Sequence, residues 1–379
     1  MVGQGVVSPI IPLYAKDFGV STSMVGLTIT VYAAARLILN VPAGMIADRW
    51  GRRVLLIGGP ILTSVGMIGS GFANDIWTLL VWRFVAGAGS AFYMSGALVY
   101  LIDVARPDQR ARFIATNQWA LSLGVAIGPG IGGLIADAYG LSAPFHMVGV
   151  LGIGTAVYAV VRLPETLVEQ TAPTEAEVAS DRAAVKSLIF SKPFLALTFV
   201  TMTIFMTRAG TRGVLIPLHA DSVLGWGPAE IGVLFTVTGG LTLFTLMPAA
   251  WASDHLGRRV VILFSGVTAG AGVLLLASDS AVTVFVIGNI LMSFGTGTAG
   301  PAPSTFAADI TPARMRGVGI GLYRSAGDIG FVAGPFLLGW LSDATSITFA
   351  LRVAGVLVAV AAMSFFWTMR KHPAAGKQV

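Results

Sequence analysis

The chain has 379 residues, of which 55% are hydrophobic and only 11% are charged. Soluble domains carry about 25% charged residues, so this composition excludes an ordinary soluble enzyme or binding domain. The formal charge of +6 does not indicate nucleic-acid binding, because the basic residues lie in short loops between apolar runs and form no continuous patch. The sequence contains no cysteine, which excludes a disulfide framework and thiolate metal ligands.

Apolar runs follow one another along the whole chain. A helix that crosses the hydrocarbon core needs about 20 apolar residues. Runs of this kind lie near residues 24–46, 54–73, 76–101, 112–136, 143–163, 193–219, 229–251, 260–278, 281–306, 317–341 and 347–369. With a shorter run at 1–15, they predict an all-α integral membrane protein with twelve transmembrane helices.

One peptide occurs twice in the chain. Residues 41–53 read VPAGMIADRWGRR, and residues 247–259 read MPAAWASDHLGRR. Asp48 therefore recurs as Asp254, 206 positions later (254 − 48), and other residues far downstream keep the same offset. A constant offset indicates a duplicated unit. Duplicated helical bundles are typical of secondary transporters, whose substrate site lies between the halves.

The duplication predicts two pseudo-symmetric six-helix bundles, at 1–163 and 193–379. The segment 164–192 between them is charged and contains proline, so we expect a cytoplasmic linker. The first apolar run is shorter than its counterpart in the second half. We therefore expect a first helix truncated at its N-terminus, through a fragment or a mis-assigned start codon.

The distribution of lysine and arginine predicts the orientation of the chain in the membrane, since cytoplasmic loops carry an excess of both. Seventeen of the 24 basic residues fall in alternate loops and in the C-terminal tail. They are Arg49, Arg52, Arg53, Arg106, Arg110, Arg112, Arg162, Arg182, Lys186, Lys192, Arg258, Arg259, Arg314, Arg316, Arg370, Lys371 and Lys377. We expect both termini and the linker to be cytoplasmic.

The repeated peptide resembles a loop signature of the major facilitator superfamily, G-x-x-x-D-R-x-G-R-R, between helices 2 and 3. The second copy departs from it at Ala250 and His255. The resemblance covers the whole chain and implies that the loop charges form a gate with aspartates at helix ends. The alternative is a basic loop that only sets topology, with ordinary surface ion pairs. The candidate gating residues are Gly44, Asp48, Arg49, Gly51, Arg52, Arg53, Asp103, Asp254, Gly257, Arg258, Arg259 and Asp309.

A second motif, G-x-x-x-G-P-x-x-G-G, is similar to one found in antiporters of this superfamily. Three of its glycines recur every four residues and so share one helix face, which allows close helix contact. Its proline bends the helix. The residues are Gly124, Gly128, Pro129, Gly132 and Gly133. The alternative interpretation is a kinked, closely packed helix with no bearing on export.

Polar residues at membrane depth are the candidates for the substrate and proton pathway, since charge inside a membrane is costly. They are Arg36, Arg83, Asn117, Arg208, Arg212, Asn289, Arg324 and Asp328. The superfamily resemblance implies a proton-transfer role for Arg83, and a buried polar tie between helices is the alternative. Arg324 and Asp328 are one turn apart, so they form either a structural ion pair or part of the coupling mechanism.

These observations predict a proton-coupled antiporter that exports a drug-like or small metabolite substrate across the inner (plasma) membrane, as a monomer. Alternatives are an organic-anion transporter of the same fold and a non-transporting membrane receptor. The sequence has no G-x-S-x-G, H-E-x-x-H or P-loop motif, and its four histidines are scattered. We therefore expect no enzyme activity, no cofactor, no metal and no nucleic-acid partner.

Overall fold

A computed structural model describes residues 2–106, 109–166, 185–278, 282–300, 302–312 and 316–370. The regular elements in these ranges are helices: α1 (Val2–Val7), α2 (Ile10–Lys16), α3 (Thr22–Trp50), α4 (Arg52–Gly71), α5 (Ile76–Val104), α6 (Arg110–Tyr139), α7 (Ala143–Arg162), α8 (Lys192–Gly210), α9 (Ile216–Leu224), α10 (Pro228–Leu256), α11 (Arg258–Leu276), α12 (Val282–Ala299), α13 (Ala302–Ile310), α14 (Arg316–Ala344) and α15 (Ile347–Thr368). A π-helical segment, Thr211–Leu215, joins α8 to α9. The middle of the predicted linker (167–184) and the basic residues Arg182, Arg314, Lys371 and Lys377 lie outside the described residues.

All eleven long apolar runs of the sequence are helical. Within the described residues, ten segments are long and apolar enough to cross a membrane. They are Thr22–Trp50, Arg52–Gly71, Ile76–Val104, Arg112–Tyr139, Ala143–Arg162, Lys192–Leu224, Pro228–Leu256, Arg258–Leu276, Val282–Ile310 and Ile347–Thr368. The helix α14 is as long as α3 but is not among the ten, and it carries Arg324, Asp328 and Asp343. The first apolar run forms two short helices, which end and begin on either side of Ser8 and Pro9.

The duplication is visible in the helix boundaries. The helices α3, α4, α5 and α6 begin at residues 22, 52, 76 and 110, and α10, α11, α12 and α14 begin 206 positions later, at 228, 258, 282 and 316. The one-residue turn between α3 and α4 is Gly51, with φ +96°, and the matching turn is Gly257, with φ +91°. Glycine occupies both turns because other residues are strained at positive φ.

The chain divides into two compact units. The first is Met1–Gln170 with Ile216–Thr236, and the second is Thr171–Leu215 with Val237–Val379. The second repeat therefore supplies α9 and the first turns of α10 to the first unit, whereas α8 belongs to the second unit. The predicted boundaries at 163 and 193 follow the linker in the sequence and remain a prediction.

Glycine allows the closest helix contacts, and it does so at equivalent places in both units. A Cβ added to Gly89 of α5 would lie 2.6 Å from the carbonyl oxygen of Gly59 on α4. In the second unit, a Cβ added to Gly295 would lie 2.9 Å from the carbonyl oxygen of Ser265. Both distances are shorter than van der Waals contact, so no side chain fits without separating the helices. Around these contacts, large apolar side chains such as Trp77 and Phe244 point outward and are 67% and 82% exposed, as on a lipid-facing surface.

Proline explains the π-helical segment that interrupts the seventh span. A proline ring collides with the carbonyl group four residues earlier and offers no N–H. Pro217 lies two residues after this segment, and the carbonyl group four residues before it belongs to Gly213 inside the segment. The wider turn between Thr211 and Leu215 therefore accommodates the ring without breaking the helix.

Neighbouring glycines of α4 provide a matched test of this packing. A Cβ added to Gly59 would lie 2.6 Å from the backbone nitrogen of Tyr93, whereas one added to Gly58 would meet nothing within 4 Å. We expect Gly59→Ala to destabilise the purified protein by about 1–3 kcal/mol through overpacking, and Gly58→Ala to leave it unchanged or slightly more stable. Thermal unfolding followed by tryptophan fluorescence measures both. Equal melting temperatures for the two variants would contradict the close α4–α5 contact.

Candidate functional site

The gating loop of the first unit is built around Arg52, which begins α4 and is only 1% exposed. Its Nε donates to Oδ2 of Asp103, at the end of α5, at 3.0 Å, and its Nη1 donates to the carbonyl oxygen of Ala47 at 3.0 Å. Its Nη2 lies 3.7 Å from Oδ1 of Asp48, whose side chain is 68% exposed. The buried partner of the arginine is therefore Asp103, and Asp48 is a peripheral one.

Glu165 is a member of this loop cluster that sequence reasoning missed. It follows the end of α7, and its Oε1 accepts from the backbone N–H of Arg52 at 2.9 Å. Its Oε2 accepts from the backbone N–H of Arg53 at 3.2 Å. The carboxylate thus caps the first turn of α4, where backbone N–H groups have no partner within the helix and the helix dipole favours negative charge. Next to it, Oγ1 of Thr166 donates to Oδ2 of Asp103 at 3.3 Å.

The Glu165 cap adds a second reason for glycine at position 51. A Cβ added there would lie 2.8 Å from Oε1 of Glu165. The only signal for Glu165 in the sequence is a polar Pro-Glu-Thr directly after an apolar run, which indicates a helix end but not its partner. Of the other predicted loop residues, Arg49 is exposed, and a Cβ added to Gly44 would meet nothing within 4 Å, so packing does not explain this glycine.

The second unit repeats the arginine–aspartate arrangement. Arg258, at the start of α11, forms an ion pair with Asp309 at the end of α13. Asp254 is exposed. The position equivalent to Glu165 is 371, which lies outside the described residues.

The second arginine of each pair binds backbone carbonyls at the end of its repeat. Nη2 of Arg53 donates to the carbonyl oxygen of Val160 near the end of α7, at 2.6 Å. Nη1 of Arg259 donates to the carbonyl oxygen of Arg370, just after α15, at 2.7 Å, and its guanidinium lies 4.4 Å from the centre of the Phe366 ring. The last carbonyls of a helix lack partners within it and carry partial negative charge, so both arginines complete a helix end.

Arg83 is a buried charge two turns into α5 and is 3% exposed. Its guanidinium carbon lies 4.4 Å from the centre of the Tyr32 ring, and its Nε donates to the carbonyl oxygen of Thr28 at 3.4 Å. Its Nη1 lies 3.9 Å from Sδ of Met67. Within the described residues it has no carboxylate partner, and the ring face and the carbonyl group stabilise the charge instead. The equivalent Asn289 is 1% exposed and donates to Phe285 of its own helix.

The predicted pathway residues are distributed over both units. Arg36 and Asn117 are half-buried on α3 and α6, and Asp328 is half-buried on α14. Arg324 is exposed. Arg208 and Arg212 are half-buried at the end of α8 and in the π-helical segment.

The antiporter motif of α6 packs on two sides. The face of Gly124, Gly128 and Gly132 lies against α1, where a Cβ added to Gly5 would come 2.6 Å from the carbonyl oxygen of Gly124. Gly133 lies on the other side, where its added Cβ would come 3.1 Å from the Cα of Gly232 on α10.

Pro129 explains a hydrogen bond beside this second contact. Next to the proline, the backbone N–H of Gly130 donates to Oγ1 of Thr236 on α10, at 2.8 Å. A proline kink opens the backbone ladder of a helix, and a side chain of a neighbouring helix can then take part in it. The motif is therefore a two-sided contact surface within the first unit.

An ion pair that the sequence did not predict lies at the opposite end of this unit from the gating loop. Nζ of Lys16, the last residue of α2, is 2.8 Å from Oδ2 of Asp221 on α9. Both side chains are about two-fifths exposed, at 44% and 41%. The pair joins the first helix of one repeat to the first helix of the other.

These features define a duplicated, multi-pass membrane protein with charged loops at equivalent helix ends. The family profile of the Major Facilitator Superfamily matches residues 1–215 and 197–379. The chain belongs to the Major Facilitator Superfamily.

Known members of the superfamily resemble the chain over nearly its whole length. The chain is 24% identical to Multidrug resistance protein 1 of Bacillus subtilis, over 98% of this chain and 94% of that protein. It is 24% identical to quinolone resistance protein NorA of Staphylococcus aureus, over 90% of this chain and 87% of that one. Among solved structures, an inward-facing bacterial homologue of the human lysosomal transporter Spinster has a TM-score of 0.82 at 16% identity, covering 100% of this chain and 96% of that one. This last likeness concerns the fold.

The Glu165 cap makes a prediction for the gating loop. In Glu165→Gln, an amide replaces one of the two carboxylate oxygens that accept from α4, and the charge at the helix N-terminus is lost. We expect the backbone amides of Arg52 and Arg53 to exchange with deuterium about tenfold faster or more, since hydrogen bonds to a charged group are worth about 1.5–3 kcal/mol. Hydrogen-exchange mass spectrometry of the peptide around residue 52 measures this. The control is Glu230→Gln, on an exposed glutamate of α10. Unchanged exchange in both variants would rule out the cap.

Proposed function

We propose that the protein is a proton-coupled antiporter that exports drug-like or small metabolite substrates by alternating access. The observation that carries the proposal is similarity over 98% of the chain to a protein named for multidrug resistance. A second relative, named for quinolone resistance, supports the same substrate class. The glycine-proline motif of α6 supports antiport, through its resemblance to the antiporter motif.

The proposed architecture is twelve transmembrane helices in two six-helix bundles, 1–163 and 193–379, that rock around a central cavity. The run at 1–15 and the helix α14 complete the ten spans described above. The basic loops favour a plasma-membrane protein with both termini and both gating loops in the cytoplasm. The small-molecule substrate and the proton then bind at membrane depth, and both sites lie in one chain, so the protein works as a monomer.

In this mechanism the arginine–aspartate pairs of the gating loops hold the helix ends of each bundle together on the cytoplasmic side. Arg52 is almost fully buried beside Asp103, and removing one partner of a buried pair leaves a charge without compensation. Both members of each pair lie in the same bundle, so the pair keeps the cytoplasmic helix ends of that bundle together while the bundles rock. Glu165 couples this loop to the start of the linker, through the backbone of Arg52 and Arg53.

Asp328 is the proposed carrier of the coupling proton, with Arg83 as a second charge on the pathway. Asp328 is half-buried and, among the carboxylates of the described residues, is the one far from both ends of its helix. An acid at such a depth binds or releases a proton according to whether water and positive charge reach it. Arg324, one turn earlier on α14, is close enough in the sequence to act as a partner during part of the cycle.

Proteoliposomes loaded with ethidium and subjected to a proton gradient test this function. We expect gradient-dependent ethidium flux from the wild-type protein. In Asp328→Asn we expect gradient-driven flux to fall to background, while ethidium exchange without a gradient continues, because the carrier of the proton is lost and the substrate path remains. Arg352→Gln, on an exposed arginine of α15, is the control. Gradient-driven flux in Asp328→Asn would reject this residue as the carrier, and ethidium binding with no flux in any protein would favour a receptor.

The Lys16–Asp221 pair allows a test of alternating access, since the chain has no cysteine of its own. In Lys16→Cys with Asp221→Cys, we expect a short bifunctional thiosulfonate reagent to block ethidium flux and a reductant to restore it, because the reagent holds the α2 and α9 ends together. The exposed pair itself is worth at most about 1 kcal/mol, so the untreated variant should transport. Full flux after complete cross-linking would refute opening at this end. Each single-cysteine variant controls for modification alone.

A further inference from the structure

Arg208 and Arg212 lie one helical turn apart on the seventh span, so their side chains share a face. Both are half-buried. We propose that the two guanidinium groups bind the acidic group of anionic substrates, a carboxylate, sulfonate or phosphate, which the protein accepts in addition to cations such as ethidium. The proposal rests on the proposed transport function and adds the substrate class to it.

The helix α14, which packs against α8, places no carboxylate beside Arg208. The helices α8 and α14 run in the same direction, since Gly330 packs on Met202 and Gly334 on Met206. Continuing this register places residues 336–340 of α14, Phe-Leu-Leu-Gly-Trp, beside the arginines. Asp328 is at the level of residue 200, about 12 Å along the axis from Arg208 at 1.5 Å per residue.

The side chain of Arg208 has no hydrogen bond or ion pair within the described part of the chain. Placing such a cation at membrane depth costs free energy, and a second cation one turn away raises that cost through electrostatic repulsion. An anion between the two guanidinium groups reverses both effects. The guanidinium group suits this role because its N–H donors match two oxygens of one acidic group at once.

The local backbone differs from a regular helix at this point. Arg212 lies in the π-helical segment Thr211–Leu215, and segments of this kind recur at functional sites because they alter the direction of side chains. Beside Arg208, the hydroxyl of Thr207 is buried and has no hydrogen-bond partner in the described ranges. It is a further polar group at this place without an apparent structural use.

The duplication provides an internal comparison. The residues 206 positions before Arg208 and Arg212 are Val2 and Val6. In the first repeat, Val6 is fully buried against the glycine face of α6. The position therefore does not require arginine for the fold, and the charge pair is specific to the second repeat.

Isothermal titration calorimetry of the detergent-purified protein tests the site with ligands that share one ring system. The probes are 2-naphthalenesulfonate, 2-naphthoate and 2-naphthyl phosphate, with 2-naphthylmethylammonium as the cation of similar size. We expect at least one anion to bind more tightly than the cation. Arg208→Gln and Arg212→Gln should each weaken that binding about tenfold or more, the effect of losing a charge-assisted hydrogen bond. Arg208→Lys should keep part of it, and Arg352→Gln should keep all of it.

Three results would overturn the site: no binding of any of the three anions, equal binding of the cation, or anion binding that survives both glutamine substitutions. If a glutamine variant does not fold, the lysine variant and the preference for anion over cation decide the question. Transport in proteoliposomes separates this proposal from the proposed function. Anion binding without any flux would support the site and reject the transport function. Gradient-driven ethidium flux that is unchanged in Arg208→Gln, together with no anion binding, would support the transport function and reject the site.

Discussion

Close backbone contact between helices is the constraint on which the rest of this structure depends. Lipid is as apolar as the side chains of the helices, so burying those side chains against one another brings little gain. Helices in a membrane associate through close packing instead, which needs small residues at the contact. Glycine provides it between α4 and α5 at Gly59 and Gly89, and between α6 and α1 along the antiporter motif.

The position of the buried charges follows from these contacts. Gly87 lies against the backbone of Tyr32, where its added Cβ would be 3.1 Å from the carbonyl carbon. This approach brings Arg83, one turn earlier on α5, within 4.4 Å of the Tyr32 ring. The ring face can stabilise the cation because no side chain at position 87 holds the helices apart. A charge that would be prohibitive in lipid is thereby kept inside the unit without a described carboxylate partner.

The sequence predicts the regular parts of this molecule well, because they follow from local composition and from duplication. The described residues of every long apolar run are mainly helical, and the 206-residue offset recurs in the helix starts and in Gly51 and Gly257. Membership of the superfamily, predicted from the repeated loop, is confirmed by the match of the family profile.

Contacts between distant residues could not be predicted. The Glu165 cap joins residues 113 positions apart, and the Lys16–Asp221 pair joins residues 205 positions apart. Neither local sequence indicates which distant residue is the partner, since capping and ion pairing require only that a carboxylate lie at the right place in space. The π-helical turn before Pro217 was also missed, because a proline inside an apolar run predicts a kink without specifying its form.

The two repeats differ where function is proposed and agree where the scaffold needs them. The loop residues Arg52, Arg53 and Asp103 recur as Arg258, Arg259 and Asp309. In both units the first arginine pairs with the aspartate, and the second binds backbone carbonyls at a helix end. The charges at membrane depth do not recur. Their counterparts 206 positions away are Thr242 for Arg36, Asn289 for Arg83, Val2 for Arg208, Val6 for Arg212, Gln118 for Arg324 and Ser122 for Asp328.

This contrast separates two reasons for charge in one chain. The arginine–aspartate charges that stabilise helix ends are found in both copies, because duplication preserves the helix ends and turns that they serve, although the Glu165 cap has Lys371 at its equivalent position. A charge found in one copy lacks that reason, and its desolvation cost must be offset by something other than the shared scaffold. Five arginines and one aspartate meet this condition, which places an excess of positive charge at membrane depth. Arg208 and Arg212 share a helix face, so a negatively charged group on the substrate stabilises this pair more than any of the single charges.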